Sequence, residues 1–330
     1  MKPHRFFFIV TSFLGVVSCT PEVPEAIPAA AGKVRVSFGV EGPGVKGYVL
    51  GEGEAVESLD LLVFRRNGGM PETMERAVSS SEISADVTEG TELDWYIVAN
   101  APEGALAGFR NEENFLTSLT RLEHTRPSTM AMHASGRGVF NKEAHKVQAA
   151  LERYACKVSL EKIRIDWPEA LPCRLERVLL LNAVGTIPWS GTPDAGGLWY
   201  NKGVVDGSLA GNVREMLVWE SGADIDSPEA IDINVDLYTM PNPVTASTFG
   251  MPWSPRCTRM AIEITSGGIS NWYTVDMPAM EGNSHYLIKN ALIKGPGTAA
   301  PDEMLQRETI DLVITLHPWG TEENELDFGS

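Results

Sequence analysis

The chain has 330 residues, 44 Asp and Glu against 27 Lys and Arg, and a formal net charge of −17 at pH 7. A surface this acidic repels phosphate backbones and anionic lipid headgroups alike, which excludes nucleic acid as a partner. With 31 Gly and 21 Pro between short apolar runs, the composition favours strands and turns over long helices.

Residues 1–19 read as an export signal. Lys2 and Arg5 precede an apolar run over 6–17, which ends in Leu14-Gly15-Val16-Val17-Ser18-Cys19. A small residue before a cysteine, preceded by aliphatics, is the lipobox pattern, in which the thiol is acylated and becomes the new N-terminus. About a dozen apolar residues are too few to cross a bilayer as a helix, which takes roughly 20. Removal of residues 1–18 takes away two positive charges and shifts the net charge from −17 to about −19. Multiple acyl chains on Cys19 would then be the one membrane contact. Residues 19–32, rich in Pro and small side chains, form a lipidated spacer.

Folded structure begins at residue 33. Val34, Val36 and Phe38 alternate with Lys33, Arg35 and Ser37, the period of a half-buried strand. A glycine-rich loop over 39–57 follows, with Lys46 as its single basic residue. Strands are expected at 58–64 (SLDLLVF), weakly at 83–87, and at 93–99, and a helix over 111–122 from Phe115, Leu116, Leu119 and Leu122. Residues 130–140 read as irregular. The seam between an N-terminal sandwich (33–150) and a C-terminal one (151–330) falls near 147–165, where apolar and polar residues alternate. Further strands are expected at 175–183, 213–219, 231–238, 259–265, 272–276, 286–293 and 309–316. Residues 186–206, rich in Gly, Trp and Pro, read as a long surface loop. The pattern is that of an all-β chain of two sandwiches with short helices in loops.

Catalytic chemistry finds no foothold. None of the six histidines pairs with another at helical metal-binding spacing, Ser135 lacks the strand-to-helix setting of a nucleophile, and Gly196-Gly197 precede no helix that would seat a phosphate. No cofactor or metal is implied. Beyond Cys19 there are Cys156, Cys173 and Cys257; a Cys156–Cys173 disulfide and three buried thiols both fit that count. Of the eight tryptophans, Trp189, Trp199 and Trp253 fall in expected loops, where a sugar-stacking platform would sit, whereas the others lie on or beside strands as core.

The order lipobox, alternating strand, glycine-rich loop, SLDLLVF, WYIVANAP, LERYACKVSLEKI, DLYTMPNP, CTRMAIEI, SHYLIKNALIKGPG and VITLHPW resembles the Bacteroidales fimbrial lipoproteins, the fimbrillins and their anchor and accessory subunits. The resemblance implies two transthyretin-like β-sandwiches, an outer-membrane or cell-surface location, cell adhesion, and assembly with other fimbrial subunits by donor-strand exchange. In that scheme the first strand (Val34, Val36, Phe38) is cut away in the loop behind it, and a neighbour's extended segment refills the groove. The C-terminal strand (Ile310, Leu312, Ile314, Leu316) is then the candidate donor. The resembled subunits are typically cut after arginine, whereas this loop offers only Lys46-Gly47. If the strand stays, the chain remains a lipid-anchored base or accessory subunit. The alternative is a non-polymerising lipoprotein that binds glycans through Trp189, Trp199 and Trp253, or some other host or bacterial surface ligand.

Overall fold

The computed structural model describes residues 32–41, 55–66, 69–192 and 197–319, so that Cys19, Lys46 and Gly47 lie outside the described residues. Its N-terminal half contains β1 (Lys33–Glu41), β2 (Ser58–Arg65), β3 (Pro71–Val78), β4 (Glu82–Thr88), β5 (Glu92–Ala99), α1 (Glu112–Thr117), β6 (Leu119–Arg121), β7 (Met132–Val139), β8 (Lys146–Ala150) and β9 (Glu152–Arg153). Two sheets, in the orders β4-β1-β8 and β3-β2-β5-β7-β9, carry most of it. Val36 and Phe38 from the first and Leu61, Val63, Trp95 and Ile97 from the second lie in one buried cluster. β2 is buried on both faces, because Leu62 and Phe64 point away from that cluster and Phe64 packs on Phe115 of α1. A strand covered on both sides has no polar face, hence the unbroken run LLVF.

The C-terminal half contains β10 (Cys156–Ile165), β11 (Cys173–Leu181), β12 (Ala183–Val184), β13 (Thr186–Pro188), β14 (Trp199–Tyr200), α2 (Gly211–Leu217), β15 (Val218–Ile225), β16 (Ile231–Thr239), β17 (Arg259–Ser266), β18 (Ile269–Asp276), β19 (Ser284–Ile293) and β20 (Ile310–Pro318). Its sheets run β16-β10-β19-β20 and β15-β11-β17-β18. Leu160 and Ile288 of one share a large core with Val178 and Ile262 of the other. The smaller cluster draws on residues 34–151; the larger draws on residues 154–293 together with the outer side of β2 and β5 and side chains from residues 101–131.

Four local expectations change. The helix expected over 111–122 stops at Thr117. Asn111 caps its start by accepting from the Asn114 amide at 2.8 Å, but Leu119 then enters a strand pair with Pro188. The strand expected at 213–219 begins as α2: Val213, Met216 and Leu217 are its buried residues, at helical spacing. Residues 130–140 are not irregular but carry β7, paired with β5 along its length. The segment 186–206 is not a surface loop: β13 pairs with β6, β14 with β12, and the Asn201 side chain, 1% exposed, donates to the Leu180 carbonyl at 2.9 Å.

Candidate functional site: a buried first strand and a C-terminal edge strand

β1 lies in the middle of its sheet. It runs antiparallel to β4, from Lys33 opposite Thr88 to Gly39 opposite Glu82, and its second half also runs parallel to β8, from Ser37 opposite Lys146 to Glu41 opposite Ala150. The period-two pattern sends Val34, Val36 and Phe38 inward, at 8%, 0% and 0% exposure. Phe38 meets Trp95 and Phe140 edge-on, with ring centroids 5.6 and 6.0 Å apart. Fully burying such side chains stabilises by about 1.5–3 kcal/mol each. A vacancy there exposes both an apolar slot and the unpaired edges of β4 and β8.

The outward side of β1 is a seam of charges. Glu72 of β3 buries its carboxylate, with a side chain 1% exposed, and holds Lys33 Nζ at 2.5 Å and Arg65 Nε at 2.5 Å. The Thr88 hydroxyl and amide donate to the same group at 2.6 and 3.0 Å. Burial works against the charge, but the hydrogen bonds from Arg65, Lys33 and Thr88 outweigh it and hold the Glu72 pKa at about 2. Farther along, Arg35 lies 3.7 Å from Asp86, and the Ser37 hydroxyl donates to Glu82. Nothing local in the sequence marks Glu72, because its partner Lys33 lies 39 positions away.

β20 is the other element of the site. It pairs with β19 alone, from Ser284 opposite Pro318 to Ile293 opposite Ile310, and ends its sheet. Ile310, Leu312 and Ile314 are half-buried against the large core, whereas Leu316 is 56% exposed. All four candidate donor residues thus sit on the chain's own sheet. Just beyond β20, Trp319 stacks on Tyr238 with centroids 5.6 Å apart, and its amide donates to the Asn283 carbonyl at 2.9 Å.

The three loop tryptophans do not form an open platform. Trp189 and Trp199 are 3% and 5% exposed, and Trp253 packs against Trp199 at 5.4 Å. Trp189 and Trp199 are closed to a sugar because the segment that carries them folds inward, whereas Trp253, on a separate segment, is half-buried. The three cysteines are buried as free thiols. Among the described residues no group of three or more His, Cys, Asp or Glu side chains is placed to hold a metal, and no helix is long and apolar enough to cross a membrane.

No protein-family model and no curated protein matches the chain. Solved structures do. A candidate cell adhesion protein from Bacteroides eggerthii superposes with a TM-score of 0.64 at 16% identity, over 88% of this chain and 97% of its own. Another, from Parabacteroides distasonis, gives 0.61 at 14% identity, over 88% and 100%. A fimbrilin from Porphyromonas gingivalis gives 0.58 at 13% identity, over 89% of this chain and 99% of that one. The chain has the fimbrillin fold. At these identities the likeness is one of architecture, and it covers both halves of the described structure. The all-β expectation and the resemblance read from the short motifs agree with it.

Proposed function

We propose that the chain is a structural subunit of a fimbria-like surface polymer, not an enzyme, and that it joins other fimbrial subunits by strand exchange. The observation that carries this reading is β1: an N-terminal strand, followed by a glycine-rich loop with one lysine, fills the centre of a sheet with three buried side chains. In this reading residues 33–150 and 151–330 are two transthyretin-like sandwich domains, acylated Cys19 tethers the chain to the outer membrane, and a cut at Lys46-Gly47 frees β1. A neighbour's extended strand then satisfies both the backbone edges and the apolar slot, while β20 leaves its own sheet to serve another subunit. The fimbrillin fold supports this assignment, as does the position of β20 at a sheet edge.

Intact mass and N-terminal analysis of protein taken from the native cell surface tests it. Polymerised chains that begin at Gly47 are expected. Monomeric chains that all begin at acylated Cys19 would reject a processed stalk subunit and leave a lipid-anchored base or ligand-binding lipoprotein.

A further inference from the structure

We propose that the groove occupied by β1 is shaped for a strand with cations on its outward positions and an aromatic ring at its third inward position, supplied by a chain of a different kind from this one. The inference rests on the strand-exchange reading above and names the partner which that reading leaves open.

The inward positions set the apolar half of the code. Two β-branched residues, Val34 and Val36, are followed by Phe38, whose ring fits edge-on between Trp95 and Phe140. The outward positions set the charged half. Lys33 reaches Glu72, Arg35 stands opposite Asp86, and Ser37 donates to Glu82. When β1 leaves, it takes two cations with it. The flank that remains carries Glu72, Asp86 and Glu82, with Arg65 still bound to Glu72 and Lys146 of β8 opposite the Ser37 position.

This chain's own β20 fits that flank poorly. Its inward residues are Ile310, Leu312 and Ile314 and its outward ones Asp311, Val313 and Thr315, and residues 308–330 contain six acids and no Lys or Arg. Three registers in the direction of β1 seat these aliphatics in the groove. With Ile310 in place of Val34, Asp311 takes the position of Arg35, opposite Asp86. With Leu312 there instead, Asp311 takes the position of Lys33, beside Glu72. With Ile310 in place of Val36, Asp311 takes the position of Ser37, beside Glu82. In the first two registers Asp311 meets a like charge, which destabilises a strand pair, and in the third it lies between Glu82 and Lys146 while Glu308 takes the inward place of Val34. All three also put an aliphatic side chain where Phe38 makes its two ring contacts. A further shift that seats Ile314 and Leu316 at the Val34 and Val36 positions puts Pro318, which has no N–H, at that of Phe38. The junction is therefore between unlike subunits: this groove takes a basic, aromatic strand, and the acidic β20 belongs in a groove of opposite charge.

Strand displacement tests this. A sequence-specific protease site placed within residues 42–54 of the full chain, once cut, leaves β1 severed but bound. Peptides are then added in equal excess and release of the severed strand is read by mass. They are residues 33–41, the same peptide with Lys33→Glu and Arg35→Glu, residues 309–318, and the latter with Thr309→Lys and Asp311→Arg. The 33–41 peptide should exchange. At low salt the charge-reversed peptide and the 309–318 peptide should each do so about tenfold less well, as expected if the lost pairs total about 1.4 kcal/mol. The gap of the charge-reversed peptide should narrow near 1 M NaCl, and Thr309→Lys with Asp311→Arg should restore part of the loss. Equal displacement by the 309–318 or the charge-reversed peptide overturns the inference while leaving strand exchange standing. Failure of even the 33–41 peptide to exchange overturns strand exchange, and the inference with it. In the uncut chain, Lys33→Glu with Arg35→Glu should raise amide exchange along β1 relative to β5, more at low salt than at high; no change at either salt counts against it.

Discussion

The Arg153 guanidinium lies 4.4 Å from the centre of the Trp319 ring, and Tyr238 stacks on the same indole. Arg153, 1% exposed, lies in β9, which follows the 150/151 seam but pairs with β7 in the N-terminal sheet, and its Nη1 donates to the Asn283 side chain at 3.2 Å and to the Trp319 carbonyl at 3.3 Å. The end of β20 is thus latched at the meeting of the two halves. A cation–π contact is worth about 0.5–2 kcal/mol and an aromatic pair about 0.5–1.5 kcal/mol. Trp319→Ala should therefore cost about 1–3 kcal/mol. Hydrogen exchange localises the effect: amides of β20 should exchange faster while those of β1 do not, and uniform loosening of both would show that Trp319 is no latch.

Glu72 makes the N-terminal half sensitive to acid. Its folded-state pKa of about 2 lies below its ordinary value of 4.5, so its contribution to stability is complete above about pH 5 and fades as the pH falls toward 2. Glu72→Gln should lower the urea midpoint near neutral pH and lose less of it than the parent between about pH 5 and 2. Parallel midpoint curves for the two proteins would mean that this carboxylate is not linked to folding.

Elements whose side chains alternate, or which are apolar throughout, were readable from residues alone, as in Val34-Arg35-Val36-Ser37-Phe38 and Leu59-Asp60-Leu61-Leu62-Val63. β3 is not, because Pro71–Val78 is an edge strand without a buried apolar side chain and so keeps no apolar period. Gly136 hid β7: a Cβ there would collide with the Trp95 ring lying across it, so the strand has to carry a glycine that reads as a break. α2 reads as a strand in the sequence because Val213 and Leu217 suit either element, and only their spacing with Met216 decides it. The same limit governs the site. The inward face of β1 was legible through its period, whereas Glu72 and Arg153 act through partners 39 and 166 positions away, and such pairings leave no local trace.

A buried ion cluster pins two loops to the end of the C-terminal sandwich. Asp302 accepts from Arg259 Nη1 at 3.0 Å, from Arg256 Nη1 at 3.4 Å and from the Gly250 amide at 2.9 Å, while both arginine side chains are at most 1% exposed. Removing one partner from such a cluster leaves a buried charge uncompensated and costs about 3–5 kcal/mol. Asp302→Asn should fall near the low end of that range, since Arg259 keeps Asp276 at 2.7 Å. Asp311→Asn is the control: its pair with Lys294 joins groups 63% and 40% exposed, and should contribute less than about 1 kcal/mol. Equal losses in chemical denaturation for the two variants would rule out a structural role for the cluster.

The thiols offer a direct check on the packing of the C-terminal core. Cys156, Cys173 and Cys257 are buried and unpaired, and the Cys156 thiol donates to the Thr239 carbonyl at 3.2 Å. Burial raises all three pKa values, that of Cys257 to about 11, with the nearby Asp276 charge adding to the effect there. Only a thiolate attacks a disulfide reagent, so near pH 8 these groups are both uncharged and out of reach. In protein from residue 20 onward, a chromogenic disulfide reagent should therefore find no fast-reacting thiol in the native state and three in concentrated guanidinium. One thiol after denaturation would instead reveal a disulfide, such as Cys156–Cys173. Fast native reactivity at Cys173 alone would place the opening at the start of β11, where Cys173 is 5% exposed against 0% for Cys156 and 1% for Cys257.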